Sequence, residues 1–214
     1  MRKLLLALLG LTAIGGSVGF AATLSVGSGH LWSGSQTLTK GTCTLTGTSV
    51  TSDTDVNQLS GNGTNGGSTT MMVLPFSGFA REAFVSFDLS SCNIPSTGGA
   101  DSATLSLHIT NAPSSSRTID VTPVLSSWSE SLTWNLLSGL TFGTRTAQFS
   151  TGTTSDVTKT VTVTGDVDQQ IKTGSVYGWR LSDSGSNSFN ATTFATSEST
   201  TASSRPVLTI NYEK

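Results

Sequence analysis

The sequence predicts an all-β chain, and three observations predict it. Thr and Ser make up a third of the 214 residues (36 Thr, 35 Ser), with 23 Gly beside them and only 11% charged residues; Thr suits strands, and Ser and Gly suit turns. Apolar residues recur at alternate positions in segment after segment, the period that gives a strand one buried face and that disordered chains lack. Windows with the composition and 3.6-residue period of long amphipathic helices are almost absent beyond the N-terminus. One β-sandwich domain of ordinary size can use nearly all of this length.

Residues 1–21 read as a secretory signal peptide: Arg2 and Lys3, an apolar run, then small residues, with Gly19 and Ala21 placed three and one before a cut after Ala21. A retained anchor is the rival reading, but Gly10, Gly15 and Gly16 interrupt the apolar run, and nothing later in the mature chain could span a bilayer as a helix. The mature protein is therefore expected to be secreted, extracellular or on the cell surface. Losing Arg2 and Lys3 leaves 9 basic against 13 acidic residues with no basic run, which argues against nucleic acid and anionic membranes as partners.

Residues 22–48 form a strand-like N-terminal extension, with Leu24, Val26, Leu31, Leu38 and Leu45 spaced among Gly and Ser. Such a segment can be an edge strand of its own domain, or a free strand that adds to a neighbour's sheet. Trp32 is either a packing anchor or an exposed aromatic for a ligand. Cys43 and Cys92 are the only cysteines. In an oxidising compartment they would close a loop of about fifty residues, worth about 3 to 4 kcal/mol; the alternative is two buried thiols. His30 and His108 have no metal-ligand spacing to them.

Residues 49–214 are expected to form the β-sandwich domain. Asp53, Asp55 and Asn57, at alternate positions, would project oxygens to one side of a strand or into a loop, a donor set calcium accepts. The Gly and terminal Glu of an EF-hand loop are missing, so turn and strand-start chemistry is the preferred explanation. No cofactor is expected, with calcium the one alternative the sequence leaves open. Turn signals from Ser60 to Gly67 lead into Met71, Met72, Val73 and Leu74, which resume the core.

The clearest pattern lies between Arg81 and Ile109. Ala83, Val85, Phe87 and Leu89 alternate with Phe84, Ser86 and Asp88, and Leu105, Leu107 and Ile109 alternate with Ser106 and His108, predicting two half-buried strands. Asn93, Pro95, Ser96, Gly98 and Gly99 between them make the unit a long-looped pair. Ile119, Val121 and Val124 mark the next strand, and Trp128 and Trp134 follow in SSWSESLTWN, where core packing explains them better than a sugar-stacking platform. Val157, Val161 and Val163 mark another strand. TGDVDQQIKTG reads as a helix of about two turns, with Thr164 as N-cap, Asp166 in the first turn, Val167 and Ile171 on one face, Lys172 in the last turn and Gly174 as the stop. Tyr177, Trp179 and Leu181 alternate as a buried strand, Phe194 belongs to another, and Leu208, Ile210 and Tyr212 share one face of the last, which Pro206 opens.

In this order, from about Val50 to Tyr212, the segments SDTDVNQ, NGTNGGSTTMMV, REAFVSFDLSS, SATLSLHIT, VLSSWSESLTWN, DVDQQIKTGSVYGWRL, FATSES and RPVLTINY resemble the DNRLRE type of extracellular domain, whose relatives are grouped with carbohydrate-binding modules. The resemblance implies a jelly-roll-like antiparallel β-sandwich, here with one short helix, without catalytic activity.

The residues agree that no catalytic group should be named. His30 and His108 sit in no motif that would make either a base, and the acidic residues form no recognisable glycosidase pair. Two functions remain. One is adhesion or polysaccharide binding, with Trp32, Arg81, Tyr177, Trp179 and Arg180 as candidate ligand-binding residues. The other is a structural subunit that binds copies of itself, building an extracellular filament or pilus by donating its N-terminal strand. The first leads.

Overall fold

The computed structural model describes residues 39–185 and 187–213. The signal-peptide segment, His30 and Trp32 lie outside the described residues. The alternating segments become strands, in the order β1 (Lys40–Thr46), β2 (Val50–Asn57), β3 (Thr70–Val73), β4 (Arg81–Phe87), β5 (Gly99–Asn111), β6 (Thr118–Pro123), β7 (Ala147–Ser150), β8 (Val157–Thr162), the helix α1 (Thr164–Thr173), β9 (Trp179–Ser182), β10 (Thr192–Ala195) and β11 (Val207–Glu213). One sheet runs β1-β11-β5-β10-β3, with β8 paired to β5, and the other runs β2-β4-β9-β6-β7. Every pairing is antiparallel.

The inward faces make one core: Leu105, Leu107 and Ile109 of β5, Leu208, Ile210 and Tyr212 of β11, Ala83, Val85 and Phe87 of β4, Ile119 and Val121 of β6, and Trp179 and Leu181 of β9. Full burial of each large side chain stabilises the fold by about 1.5 to 3 kcal/mol. The two strands that the sequence joins as a long-looped pair are not paired. β4 lies in one sheet and β5 in the other, so their apolar faces meet through the core instead of through backbone hydrogen bonds.

Nor is β4 half-buried. Phe84 and Ser86 on its other face are buried as well, because the segment between β6 and β7 folds over that side. Val56, Phe84, Val124 and Leu132 form a second apolar cluster there, with Trp128, Trp134 and Phe142 packed against it. The core reading of the two tryptophans therefore holds, in this satellite cluster under a loop.

Residues 40–46 of the N-terminal extension are an edge strand of their own sheet, paired in register with Val207–Glu213 of β11. A disulfide joins Cys43 to Cys92, tying that edge to the turn after β4. The helix spans ten residues, and Gly174 ends it at φ 64° with its N–H on the Gln170 carbonyl. Thr164 is not the cap: Val163 holds that position, and the Thr164 hydroxyl accepts from the Ala103 N–H. Val167 is buried in the main core and Ile171 packs against it.

Candidate functional site

The residues nominated from the sequence do not converge. Trp179 is 0% exposed, donates its indole N–H to Asp166 and meets Phe87 edge-on, so no ligand can reach its ring. Arg81 is taken up by the carboxylate of Asp55, at 2.5 Å. Arg180 lies 4.2 Å over the Phe142 ring with Glu82 at 3.6 Å, half-buried on the outer face of β9. Tyr177 is not a buried strand residue: it is 40% exposed. It precedes Gly178, whose φ of 98° breaks the alternation before β9 begins. Its backbone carbonyl accepts the Trp128 indole N–H at 2.7 Å.

The expected oxygen set of Asp53, Asp55 and Asn57 is also divided. All three lie on β2, but Asp55 belongs to Arg81 and Asn57 accepts from the Leu59 N–H. Asp53 instead joins Glu130 and Glu198, brought from distant segments, with one oxygen of each within 4.8 Å of the others. The Ser197 N–H donates to Asp53 at 2.7 Å. Burial pushes the Asp53 carboxyl up to about 7, and the neighbouring Glu198 charge adds to the rise while the Ser197 N–H opposes it. A proton shared between Asp53 and Glu198 relieves the repulsion of that pair, and a hard cation would do the same.

A different group of side chains has the geometry of a binding surface. The loop between β3 and β4 carries Phe76 and Phe79, and the loop between β9 and β10 carries Phe189. Phe76 and Phe189 stack with centroids 3.5 Å apart, and Phe79 lies 5.9 Å from each. Phe189 is 66% exposed and Phe79 41%, an anomaly for residues whose burial normally stabilises a core. Backbone geometry fixes the platform: the Ser188 N–H donates to the Pro75 carbonyl, the Ser77 N–H to Asn187, and Gln58 accepts from Gly78 and Ala80. These rings obey no strand period, so the alternation of the sequence does not mark them; the one local sign is a Phe on either side of the Ser77-Gly78 turn.

The model of carbohydrate-binding module family 96 matches residues 44–212. The chain belongs to that family. The resemblance read from the sequence is thereby confirmed, and with it the assignment to a non-catalytic binding-module family. No curated protein matches the chain. No helix among the described residues is long and apolar enough to cross a membrane. In this family 96 module, the Phe76, Phe79 and Phe189 rings offer flat apolar faces of the kind on which sugar rings stack, while Trp179 and Arg81 serve the fold.

Proposed function

We propose that the protein is an extracellular or cell-surface module that binds polysaccharide without altering it, and so serves adhesion to a polysaccharide-bearing surface. The observation that carries this reading is the exposed Phe189 ring stacked on the half-buried Phe76, with the exposed Phe79 beside them, in a chain of a carbohydrate-binding family. Aromatic faces gain by covering the C–H face of a sugar ring, and loops at the end of a rigid sandwich can present them without strain on the core. The disulfide fits an oxidising compartment.

Affinity electrophoresis in gels containing cellulose, xylan, mannan, laminarin or soluble chitin derivatives tests the assignment. The double variant Phe79→Ala/Phe189→Ala should lose about tenfold or more in affinity for the polysaccharide that retards the wild type, at about 1 kcal/mol per stacked ring. Its melting temperature should fall by only a few degrees, because both rings are exposed and the variant gives up only their contacts with each other and with Phe76. Equal retardation of variant and wild type would remove the platform from the site.

A further inference from the structure

The two sheets close over the core unevenly. β7 and β8 follow one another in the chain, yet among the described residues β7 is paired only to β6 of one sheet and β8 only to β5 of the other. The sandwich is therefore unsealed along that side. Ala147 and Phe149 of β7 and Val157 of β8 point into the main core but stay half-buried, whereas Val121 and Leu105 on the strands beside them are fully buried. Between the two edges runs a groove of about 580 Å³, lined by Thr146, Ala147, Gln148, Thr160, Val161 and Thr162 and by the start of α1. None of these side chains is ionisable.

The outer edge of β8 is open to a further strand. The Val163 N–H donates to the Ala103 carbonyl, in register with Thr162 opposite Thr104. Because such bonds alternate along an antiparallel ladder, the N–H and C=O groups of Thr158, Thr160 and Thr162 point away from β5. An edge of this kind is a template for pairing unless it is guarded. Lys159, the one charged residue of β8, has its ammonium group beside Gly152 in the loop that joins β7 to β8, and leaves Thr160 and Thr162 unguarded.

The chain enters the same sheet at its opposite edge. Leu105 pairs with Leu208 of β11 on one side and with Val161 of β8 on the other, and β1 lies beyond β11. Ahead of β1, residues 22–38 hold Ala22, Leu24 and Val26 at alternate positions and no ionisable side chain except His30. A period of two puts all three apolar side chains on one face of a strand. That face suits an uncharged groove whose floor is Ala147 and Val161.

We propose that residues 22–27 of one molecule add a strand to the free edge of β8 in a second copy, with Leu24 and Val26 seated over Ala147 and Val161. Donor and acceptor belong to opposite edges of one sheet, so the contact is heterologous and repeats from copy to copy as a filament. Each copy then presents its phenylalanine platform, and the assembly holds a surface through many weak contacts at once. The sugar assignment and this contact stand or fall separately.

Cysteine cross-linking of the mature chain locates the contact. Chains carrying Ser25→Cys are mixed with chains carrying Thr158→Cys, Thr160→Cys or Thr162→Cys, three exposed positions on β8. At least one mixture should give a mixed dimer on non-reducing electrophoresis, because all these side chains face outward on neighbouring strands. Thr44→Cys, exposed on β1 at the other edge, should not substitute for them. Adding Leu24→Asp/Val26→Asp to the Ser25→Cys chain should lower the dimer yield about tenfold or more. Its melting temperature should not move, since both residues lie ahead of the compact unit that begins at Leu38. One chain carrying Ser25→Cys together with the β8 cysteine should form a ladder of multimers. Absence of every mixed dimer, an equal yield with Thr44→Cys, an unchanged yield in the Leu24→Asp/Val26→Asp chain, or a double variant that closes only on itself each overturns donation to a second copy.

Discussion

Asp53 shows how a residue's surroundings decide what its chemistry is for. On sequence it is one of three alternating oxygens on β2; in the fold it is 1% exposed and faces Glu130 and Glu198. Nothing local could reveal those partners, because they arrive from loops far along the chain. With its carboxyl raised from 3.8 to about 7 by burial, the folded protein holds a proton there that the unfolded chain releases. Stability from this group is thus fully present below about pH 4 and lost as pH rises through about 7. Thermal melts between about pH 5 and 8 should show stability falling by about 2 kcal/mol. Asp88 and Asp168, whose carboxyls are held below the usual range by Ser90 and Lys172 respectively, act in the opposite sense but at lower pH. Asp53→Asn keeps an acceptor for the Ser197 N–H and removes the charge, so its melting temperature should fall less steeply over the same window, what slope remains coming from Asp55 and Glu82, whose carboxyls burial also raises. A slope equal to the wild type's would move the titration to another group. Calcium added at pH 8 tests the cation expectation in the same melts: a rise in the wild type that Asp53→Asn lacks assigns the ion to this trio.

At the scale of elements, the strands and the helix were legible because a strand's period of two and a helix's stop signals are local properties. Ala83 to Phe87, Leu105 to Ile109 and Leu208 to Tyr212 all bury the faces their alternation marks. Which strands pair is not local, and the proximity of β4 and β5 in sequence misdirects: their loop crosses between sheets. The failure at Tyr177 has a sharper cause. Gly178 sits at φ 98°, and a Cβ there would lie 2.3 Å from the Val85 carbonyl oxygen, so the chain uses a glycine to bring the Tyr177–Gly178 peptide against β4 and β6. The Val124 N–H donates to the Gly178 carbonyl and the Tyr177 N–H to the Val124 carbonyl. Parity is reset at that turn, and Tyr177 emerges to solvent while Trp179 enters the core. Gly178→Ala combines a left-handed backbone with a clash against main chain, and should cost about 3 kcal/mol or more in urea unfolding. A loss below about 1 kcal/mol would mean that β9 can shift away from β4 at little cost.

At the scale of the whole molecule, the question left by the sequence is whether the N-terminal segment belongs to its own domain or to a neighbour's. The described part of that segment belongs to its own domain. Lys40–Thr46 fills the edge beside β11 in its own sheet, Leu45 is 2% exposed, and Cys43 is bonded to Cys92 across 49 residues, whereas Leu38–Lys214 is a compact unit by itself. A chain begun at Leu38 should therefore melt at the same temperature as the longer one. A chain begun at Gly47 loses β1, the Leu45 side chain and the disulfide. The cross-link alone is worth about 4 kcal/mol by loop closure and the buried leucine about 2 kcal/mol, so the shorter chain should be far less stable, with β11 left as a bare edge. Size-exclusion chromatography and negative-stain microscopy of these chains separate stability from assembly. Filaments from the longer chain and monomers from the Leu38 chain would show that residues before Leu38 are donated to another copy, since both chains contain the whole of β1. Monomers from both would remove the filament reading. Association confined to the Gly47 chain has a separate origin, the exposed β11 edge, because an unpaired strand is itself a template for another.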